Sequence, residues 1–146
     1  MDNIKINIPM NLDVSDDDLD NILVTAFEGG SNYWIDKVEV RDYKGCELAS
    51  HVVSKGGTVW VCLDNNPVCA EIKGKEYYKW SINKKKLLRA ISRWFAEYYY
   101  PKQIKFNWMY KDYPIEIPSS FSDIDFDAGD TDIIIQYAIF NEVIYG

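Results

Sequence analysis

The stretch SDDDLDNILVTAFEGGSNYW, residues 15–34, defines the first structural unit of the chain. Its apolar side chains recur at the spacing of one helical face, and they are Leu19, Ile22, Leu23, Ala26 and Phe27. Ser15 is a natural N-cap, and three aspartates follow in the first turn, where the helix dipole favours negative charge. Gly29 stands where helices often end on a left-handed residue, so we predict that Glu28-Gly29-Gly30 ends the helix and is not a ligand-binding turn. Tyr33 and Trp34 are then expected to fold back toward the core.

Strand-like and turn-like patterns lie on both sides of this helix. Alternating or continuous apolar runs predict strands at IKINIP (4–9), WIDKVEVRDY (34–43), TVWVCLD (58–64), VCAEIKG (68–74) and EYYKW (76–80). The runs at 58–64 and 68–74 flank an Asn-Asn-Pro turn and are typical of a β-hairpin. The segment CELASHVVSKGG (46–57) predicts a short helix that ends at Gly56.

Two further helices are predicted in the second half of the chain. The segment from Ser81 to Tyr100 is helical in pattern, with Pro101 placed after its end. Its apolar face is Leu87, Leu88, Ile91, Trp94, Phe95 and Tyr98. Residues 102–124 are predicted to be irregular, and a last helix begins near Asp130 with Asp127 or Asp130 as its cap. Strands and helices without regular alternation predict a single α+β domain over 1–146, a small antiparallel sheet packed with about three helices.

The composition narrows the class of protein. A chain of 146 residues with 47% hydrophobic and 27% charged side chains can build one core. No apolar run reaches the roughly 20 residues of a membrane helix, and the N-terminus does not resemble a signal peptide. Three cysteines without CxxC spacing argue against a disulfide framework or a zinc site, so we expect a cytoplasmic protein without a bound metal.

The net charge of −7 is unevenly distributed along the chain. Residues 1–45 carry ten acidic and four basic side chains, residues 46–100 carry five and nine, and residues 101–146 carry eight and three. The protein therefore has acidic ends and a basic middle, a distribution that bears on its partners more than on its fold.

The tract SDIDFDAGDTD, residues 122–132, is the strongest candidate for a cation site. Its aspartates could supply oxygen ligands to calcium or magnesium. An EF-hand loop does not fit, because Ala128 stands where glycine is required and Ile134 where the bidentate glutamate is required. We favour an acidic loop that caps the last helix, and we leave the cation site open as the alternative.

No enzymatic motif is present in the sequence. His51 is the single histidine, and its nearest possible nucleophile, Cys46, lies five residues away, which specifies little. GxGxxG, Walker and HExxH motifs are absent as well. We therefore predict a protein that is not an enzyme and needs no cofactor.

A basic stripe and an acidic surface are the two candidate binding features. Lys85, Arg89 and Arg93 repeat at helical spacing and could hold the phosphate of a nucleotide-like ligand, with nearby tyrosines stacking on a base; a solvated helix face is the plainer interpretation. The acidic surface would consist of Asp13, Asp16, Asp17, Asp18, Asp20, Asp123, Asp125 and Asp127. Such a surface can imitate nucleic-acid phosphate and occupy a basic groove in a partner, while abundant Trp and Tyr anchor the contact.

Two stretches resemble the terminal segments of a family of small proteins encoded by phages, prophages and other mobile elements. They are ILVTAFEGGSNYW (22–34) and DIIIQYAIFNEVIYG (132–146), with SHVVSKGGTVWV and WSINKKKLLRAI between them in the same order. The resemblance carries over no catalytic residue. It implies a mobile-element setting, in which small acidic proteins counter host defences in the manner of anti-CRISPR proteins. We accordingly expect the partner to be a host defence protein, such as a nucleic-acid-binding nuclease complex, and expect no direct binding of nucleic acid. A phage regulator or assembly module is the remaining alternative.

Overall fold

A computed structural model of the chain describes residues 11–40, 48–63, 79–110 and 118–146. The helices are α1 (Asp16–Thr25), α2 (Lys84–Trp94), α3 (Tyr100–Met109) and α4 (Ala128–Phe140). A π turn, Ala26–Gly30, extends α1, and a second π turn, Phe95–Tyr99, joins α2 to α3 in one continuous helix. The strands are β1 (Lys37–Val40), β2 (Val59–Cys62) and β3 (Lys79–Ile82). These described residues therefore form three helices and a three-stranded antiparallel sheet in one body, which confirms the predicted α+β class.

The sheet has the order β1-β2-β3, with β2 in the centre. Lys37 lies opposite Cys62, and Val59 lies opposite Ile82. The predicted strands at 34–43, 58–64 and 76–80 are confirmed at Lys37–Val40, Val59–Cys62 and Lys79–Ile82. Residues 34–36 are not in a strand, and Ser81 and Ile82 belong to β3 and not to the predicted second helix, which begins at Lys84. The predicted strand at 4–9 and the second arm of the hairpin at 68–74 lie outside the described residues.

Helix α1 confirms its predicted start but corrects the reason for its end. The Ser15 hydroxyl oxygen accepts a hydrogen bond from the Asp18 backbone N–H, and the Asp18 carboxylate accepts one from the Ser15 N–H, which forms a capping box. The helix does stop at the glycine pair, but neither glycine has a positive φ, so the predicted left-handed end is wrong. The pair instead lies in a π turn, and Gly30 is needed because α4 passes directly against it. A Cβ at Gly30 would overlap the Ala128 carbonyl oxygen and lie 2.8 Å from Thr131 Oγ1.

The aromatic pair after the glycines follows its prediction only in part. Trp34 is buried in the core, whereas the ring of Tyr33 is exposed. Farther along the chain, the predicted short helix at 46–57 is a 3-10 turn, Ala49–His51, within its described part. The chain reverses after it at Gly56, whose φ is +92°.

The second helix is longer than its sequence pattern predicts. Asn83 caps it, and Pro101 does not end it. The π turn before Pro101 closes with a hydrogen bond from the Tyr100 N–H to the Phe95 carbonyl, one residue wider than an α-helical bond. We attribute the continuation to this wider turn, which eases the clash that a proline ring makes with the preceding turn. Residues 102–109 are therefore helical, which corrects the irregular segment that the sequence predicts at 102–124.

Helix α4 is the centre of the core. It packs against α2 and against the π turn that follows α1, and it contacts β3. Its fully buried apolar side chains, Ile134 and Ile135, join the apolar residues of α1 and of the sheet in one cluster. Asp127 is its N-cap, with Asp130 completing a capping box, as the sequence predicts. Within the described ranges, none of these helices is both long and apolar enough to cross a membrane.

Candidate functional site

Two acidic segments from opposite ends of the chain meet beside the start of α1. The backbone of Asp13 pairs with Ser120, through Asp13 N–H to Ser119 C=O at 2.7 Å and Phe121 N–H to Asp13 C=O at 2.8 Å. The Ser122 hydroxyl then donates to Asp18 Oδ1 at 2.7 Å, across 104 residues of sequence. The fold thus joins what the sequence shows only as two separate clusters.

This junction brings together two segments that carry exposed carboxylates, and we call these carboxylates the acidic face. Its members are Asp13, Asp16, Asp17, Asp123 and Asp125, all of them exposed. Of these five residues, Asp16 forms an ion pair with a described residue, because its carboxylate lies 3.2 Å from Lys84 Nζ. None of the other four carboxylates forms an ion pair with another described residue, so their charge is available to a partner.

Asp18 and Asp20 do not belong to this face, which corrects the predicted surface. Asp18 is 5% exposed, and its carboxylate is used in holding Ser15 and Ser122. Asp20 is half-buried, and its Oδ1 atom is inaccessible to solvent. The Asp18 side chain thus supports the start of the helix on which the face is built.

Asp127 lies at the edge of the acidic face and is the N-cap of α4. Its carboxylate accepts a hydrogen bond from the Asp130 N–H at 2.9 Å, and the Asp127 N–H donates to the Asp130 carboxylate at 3.0 Å. The Asp130 N–H is the main cause that lowers the pKa of Asp127, and the charge of Lys102 adds to the same effect. Burial raises the pKa of Asp130. No set of three His, Cys, Asp or Glu side chains within the described ranges is arranged to hold a metal ion.

The basic stripe divides into two exposed residues and one engaged residue. Lys85 and Arg89 are exposed. The Arg93 guanidinium donates to Glu97 Oε1 at 3.1 Å, to the Asn141 carbonyl oxygen and to Asn141 Oδ1 at 2.9 Å. It also lies 4.2 Å from the centre of the Tyr137 ring. Arg93 therefore joins α2 to the left-handed end of α4, where a cation complements the helix dipole.

A buried carboxylate, Asp132, organises the stretch that follows the glycine pair. It is 8% exposed and accepts hydrogen bonds from Ser31 Oγ at 2.8 Å, Tyr33 Oη at 2.6 Å and Trp34 Nε1 at 2.7 Å. Gln136 Nε2 donates a fourth bond at 3.1 Å. Partial burial and then the bond to Asp132 raise the pKa of Tyr33 to about 12. The carboxylate is thus satisfied by neutral donors.

Gln136 extends this network to the last residues of the chain. Its Oε1 accepts from the Ile144 N–H at 2.7 Å and from the Tyr145 N–H at 2.8 Å, while its Nε2 donates to the Tyr145 carbonyl at 3.1 Å. The Tyr145 ring stacks on Trp34 with centres 5.0 Å apart. The segments 22–34 and 132–146, on which the resemblance depends, therefore contact each other. The residues that join them have a structural role.

The sequence contains a signal for this network that periodicity does not use. Asp132 and Gln136 are polar side chains four residues apart that flank the apolar run 133–135 of α4, and both are buried in the structure. Buried polar groups require partners, and the hydrogen-bonding run Ser31-Asn32-Tyr33-Trp34 is a rich source of donors. Which donors reach Asp132 depends on the packing of α4 against the π turn.

His51 and Cys62 are the histidine and the cysteine that the structure describes. His51 lies in the 3-10 turn and is half-buried. Cys62 is buried and forms no disulfide with a described residue, whereas Cys46 and Cys69 lie outside the described residues. That His51 has no catalytic role stays a prediction.

Comparison with known proteins identifies no relative of this chain. No protein family, curated protein or solved structure matches the chain.

Proposed function

We propose that the protein acts by binding and not by catalysis, and that the acidic face occupies a basic, nucleic-acid-binding groove of a host defence protein. The observation that carries the proposal is the junction of residues 13–18 with residues 119–123, which unites two acidic segments in one exposed surface. The mobile-element setting rests on the resemblance of the terminal segments and on no match to a known protein.

The electrostatics of the acidic face suit a phosphate-like role. Like charges are held together on a capped helix end and a neighbouring turn, so little order has to be gained when a partner binds. A surface of one sign steers a basic partner toward it and excludes acidic competitors. Both effects weaken as salt is added.

The nucleotide-pocket alternative receives less support from the basic stripe. Arg93 is committed to Glu97 and Asn141, so a phosphate would have to be held by Lys85 and Arg89 or displace these bonds. Two exposed cations on one helix face are also the ordinary pattern of a solvated surface.

The experiment measures whether the protein blocks target-DNA binding by purified, guide-loaded RNA-guided nucleases of a bacterial host. Fluorescence anisotropy of labelled target DNA reports displacement as the protein is added. The test variant carries Asp13→Lys and Asp17→Lys, which avoids Asp16 with its ion pair, the buried Asp18 and the half-buried Asp20. We expect inhibition to fall at least about tenfold and to lose most of its salt dependence.

A matched control carries Lys85→Glu and Arg89→Glu, two charge reversals on a different exposed surface. We expect this control to inhibit as the unaltered protein does. Loss of inhibition in the control alone, or calorimetric binding of a nucleotide that only the control abolishes, would favour the pocket and contradict the proposal. Inhibition by neither the unaltered protein nor the control would also contradict it for the nucleases tested.

A further inference from the structure

Helix α3 is an exposed extension of the helical body. It continues α2 beyond the second π turn and has no buried residue. Ile104, Trp108 and Met109 are exposed, as is Tyr110 directly after the helix. Trp108 is the extreme case, with 86% of its surface accessible. Large aromatic side chains of this exposure are typical of contact surfaces. We call residues 100–110 the arm.

The arm has the opposite charge from the acidic face. Between Tyr98 and Tyr110 the chain carries Lys102 and Lys105 and no acidic residue. Both lysines are exposed, and Lys102 Nζ lies 5.8 Å from the centre of the Phe106 ring. The arm therefore offers aromatic anchors beside two cations, in a protein whose net charge is −7.

We propose that the arm of one copy of this chain docks on the acidic face of a second copy. Lys102 and Lys105 of one copy would meet Asp13 and Asp17 of the other, while Trp108 supplies the apolar contact. This charge complementarity lies within one sequence, so no other molecule is required. The proposal does not rest on the proposed function, although a dimer would cover the surface that the proposed function uses.

Charge also decides against the simplest alternative dimer, in which two arms pair side by side. Such a pair would bring Lys102 and Lys105 of both copies together without an acidic residue between them, and like charges in apposition are unfavourable. Docking on the acidic face places each lysine beside carboxylates instead. The arm is about 15 Å long, which is enough to lie across a helix end and its neighbouring turn.

A reciprocal arrangement follows from where the arm begins. The indole N–H of Trp94, six residues before the arm, donates to Asp130 Oδ1 at 3.3 Å, so the arm begins near the capped start of α4 and Asp127; the charge of Lys102 also helps to lower the pKa of Asp127. A two-fold axis at this edge lets each copy supply one arm and one face. The two exposed aromatic side chains of one arm, Trp108 and Tyr110, supply roughly half of the ~800 Å² that each partner buries in a specific complex, so two reciprocal contacts are needed.

The first experiment measures the mass of the protein in solution by sedimentation velocity, from low-micromolar to near-millimolar concentration. We expect a concentration-dependent dimer that dissociates as salt is raised. Trp108→Ala should weaken the dimer by at least about thirtyfold, as expected for a central aromatic anchor. Leu48→Ala is the matched control, because Leu48 is also an exposed apolar residue but lies outside the arm; this variant should dimerise normally.

The second experiment separates docking from general destabilisation by exchanging charges between two variants. One variant carries Lys102→Glu and Lys105→Glu, and the other carries Asp13→Lys and Asp17→Lys. Each alone opposes like charges and should be monomeric. Mixed in equal amounts they should form a heterodimer, because in each of its two contacts opposite charges meet again. A variant that misfolds could not be rescued in this way.

Each outcome decides the proposal. A monomer at every concentration overturns it, and so does a dimer that survives both sets of charge reversals. A dimer lost in Trp108→Ala but not rebuilt in the mixture also overturns it, because arm and face would then not be partners. A monomeric protein that still inhibits a nuclease through Asp13 and Asp17 would refute the dimer and leave the proposed function intact.

Discussion

Adjacent glycines at the end of α1 should respond to the same substitution in opposite directions. Gly30→Ala places a methyl group 2.8 Å from Thr131 Oγ1 and closer still to the Ala128 carbonyl oxygen. Because the carbonyl belongs to the first residue of α4, relief requires the helix backbone to move, and overpacking of this kind costs about 1–3 kcal/mol of unfolding free energy.

Gly29→Ala is the matched control, with the same chemical change one residue earlier. A Cβ at Gly29 meets no atom within 4 Å, and the backbone φ there is not positive. Alanine restricts the unfolded chain more than glycine does, so this variant should be unchanged or more stable by about 0.4–1 kcal/mol. The left-handed cap that the sequence suggested would instead have made Gly29 the costly position.

Urea unfolding followed by tryptophan fluorescence and by circular dichroism measures both variants. Gly30→Ala should lower the midpoint without changing the slope, and Gly29→Ala should leave it or raise it. The reasoning is refuted if Gly29→Ala is the more destabilised of the two, or if Gly30→Ala unfolds at the midpoint of the unaltered protein. In the second case α4 would not approach the π turn as closely as described.

Three further predictions test the polar contacts that hold the helices together. Asp132→Asn places an amide donor among groups that already donate, so at least one of them loses its acceptor, and unfolding free energy measured in urea should fall by about 1–3 kcal/mol; an unchanged value would contradict the network. Tyr33 has a pKa of about 12 in the folded protein and 10.0 as its ordinary value, so the stability that it contributes is complete below pH 10 and is lost as the pH rises toward 12. Tyr33→Phe should therefore flatten the fall in thermal midpoint over that interval, and an equally steep fall would show that another group is responsible. Arg93→Ala should lower the unfolding free energy by about 1–2 kcal/mol because it removes the bonds to Asn141 and the contact with Tyr137, whereas Arg89→Ala on the same stripe should change it little; equal effects would contradict the structural role of Arg93.

Local pattern alone determined the capped starts of two helices. Ser15 and Asp127 were identifiable as caps because an N-cap needs only a short side-chain oxygen beside free backbone N–H groups, and these belong to neighbouring residues. The inward face of α1 was readable for the same reason, since burial follows the period of the helix. Pro101 was misjudged because the helix passes it through the π turn that precedes it, and this turn is not a feature of the proline itself.

Tertiary structure alone decided how distant residues are combined. The sequence contains every aspartate of the acidic face, yet the pairing of Asp13 with Ser120 is what places the two clusters together and withdraws Asp18 from them. Likewise, residue 30 must be glycine because α4, which begins nearly a hundred residues later, packs directly against it. Arg93 is less available to a ligand than the rest of the basic stripe because it is hydrogen-bonded to Asn141. Periodicity reports which side of an element faces inward, whereas hydrogen bonds and close contacts between elements depend on their relative positions, which only the packed core establishes.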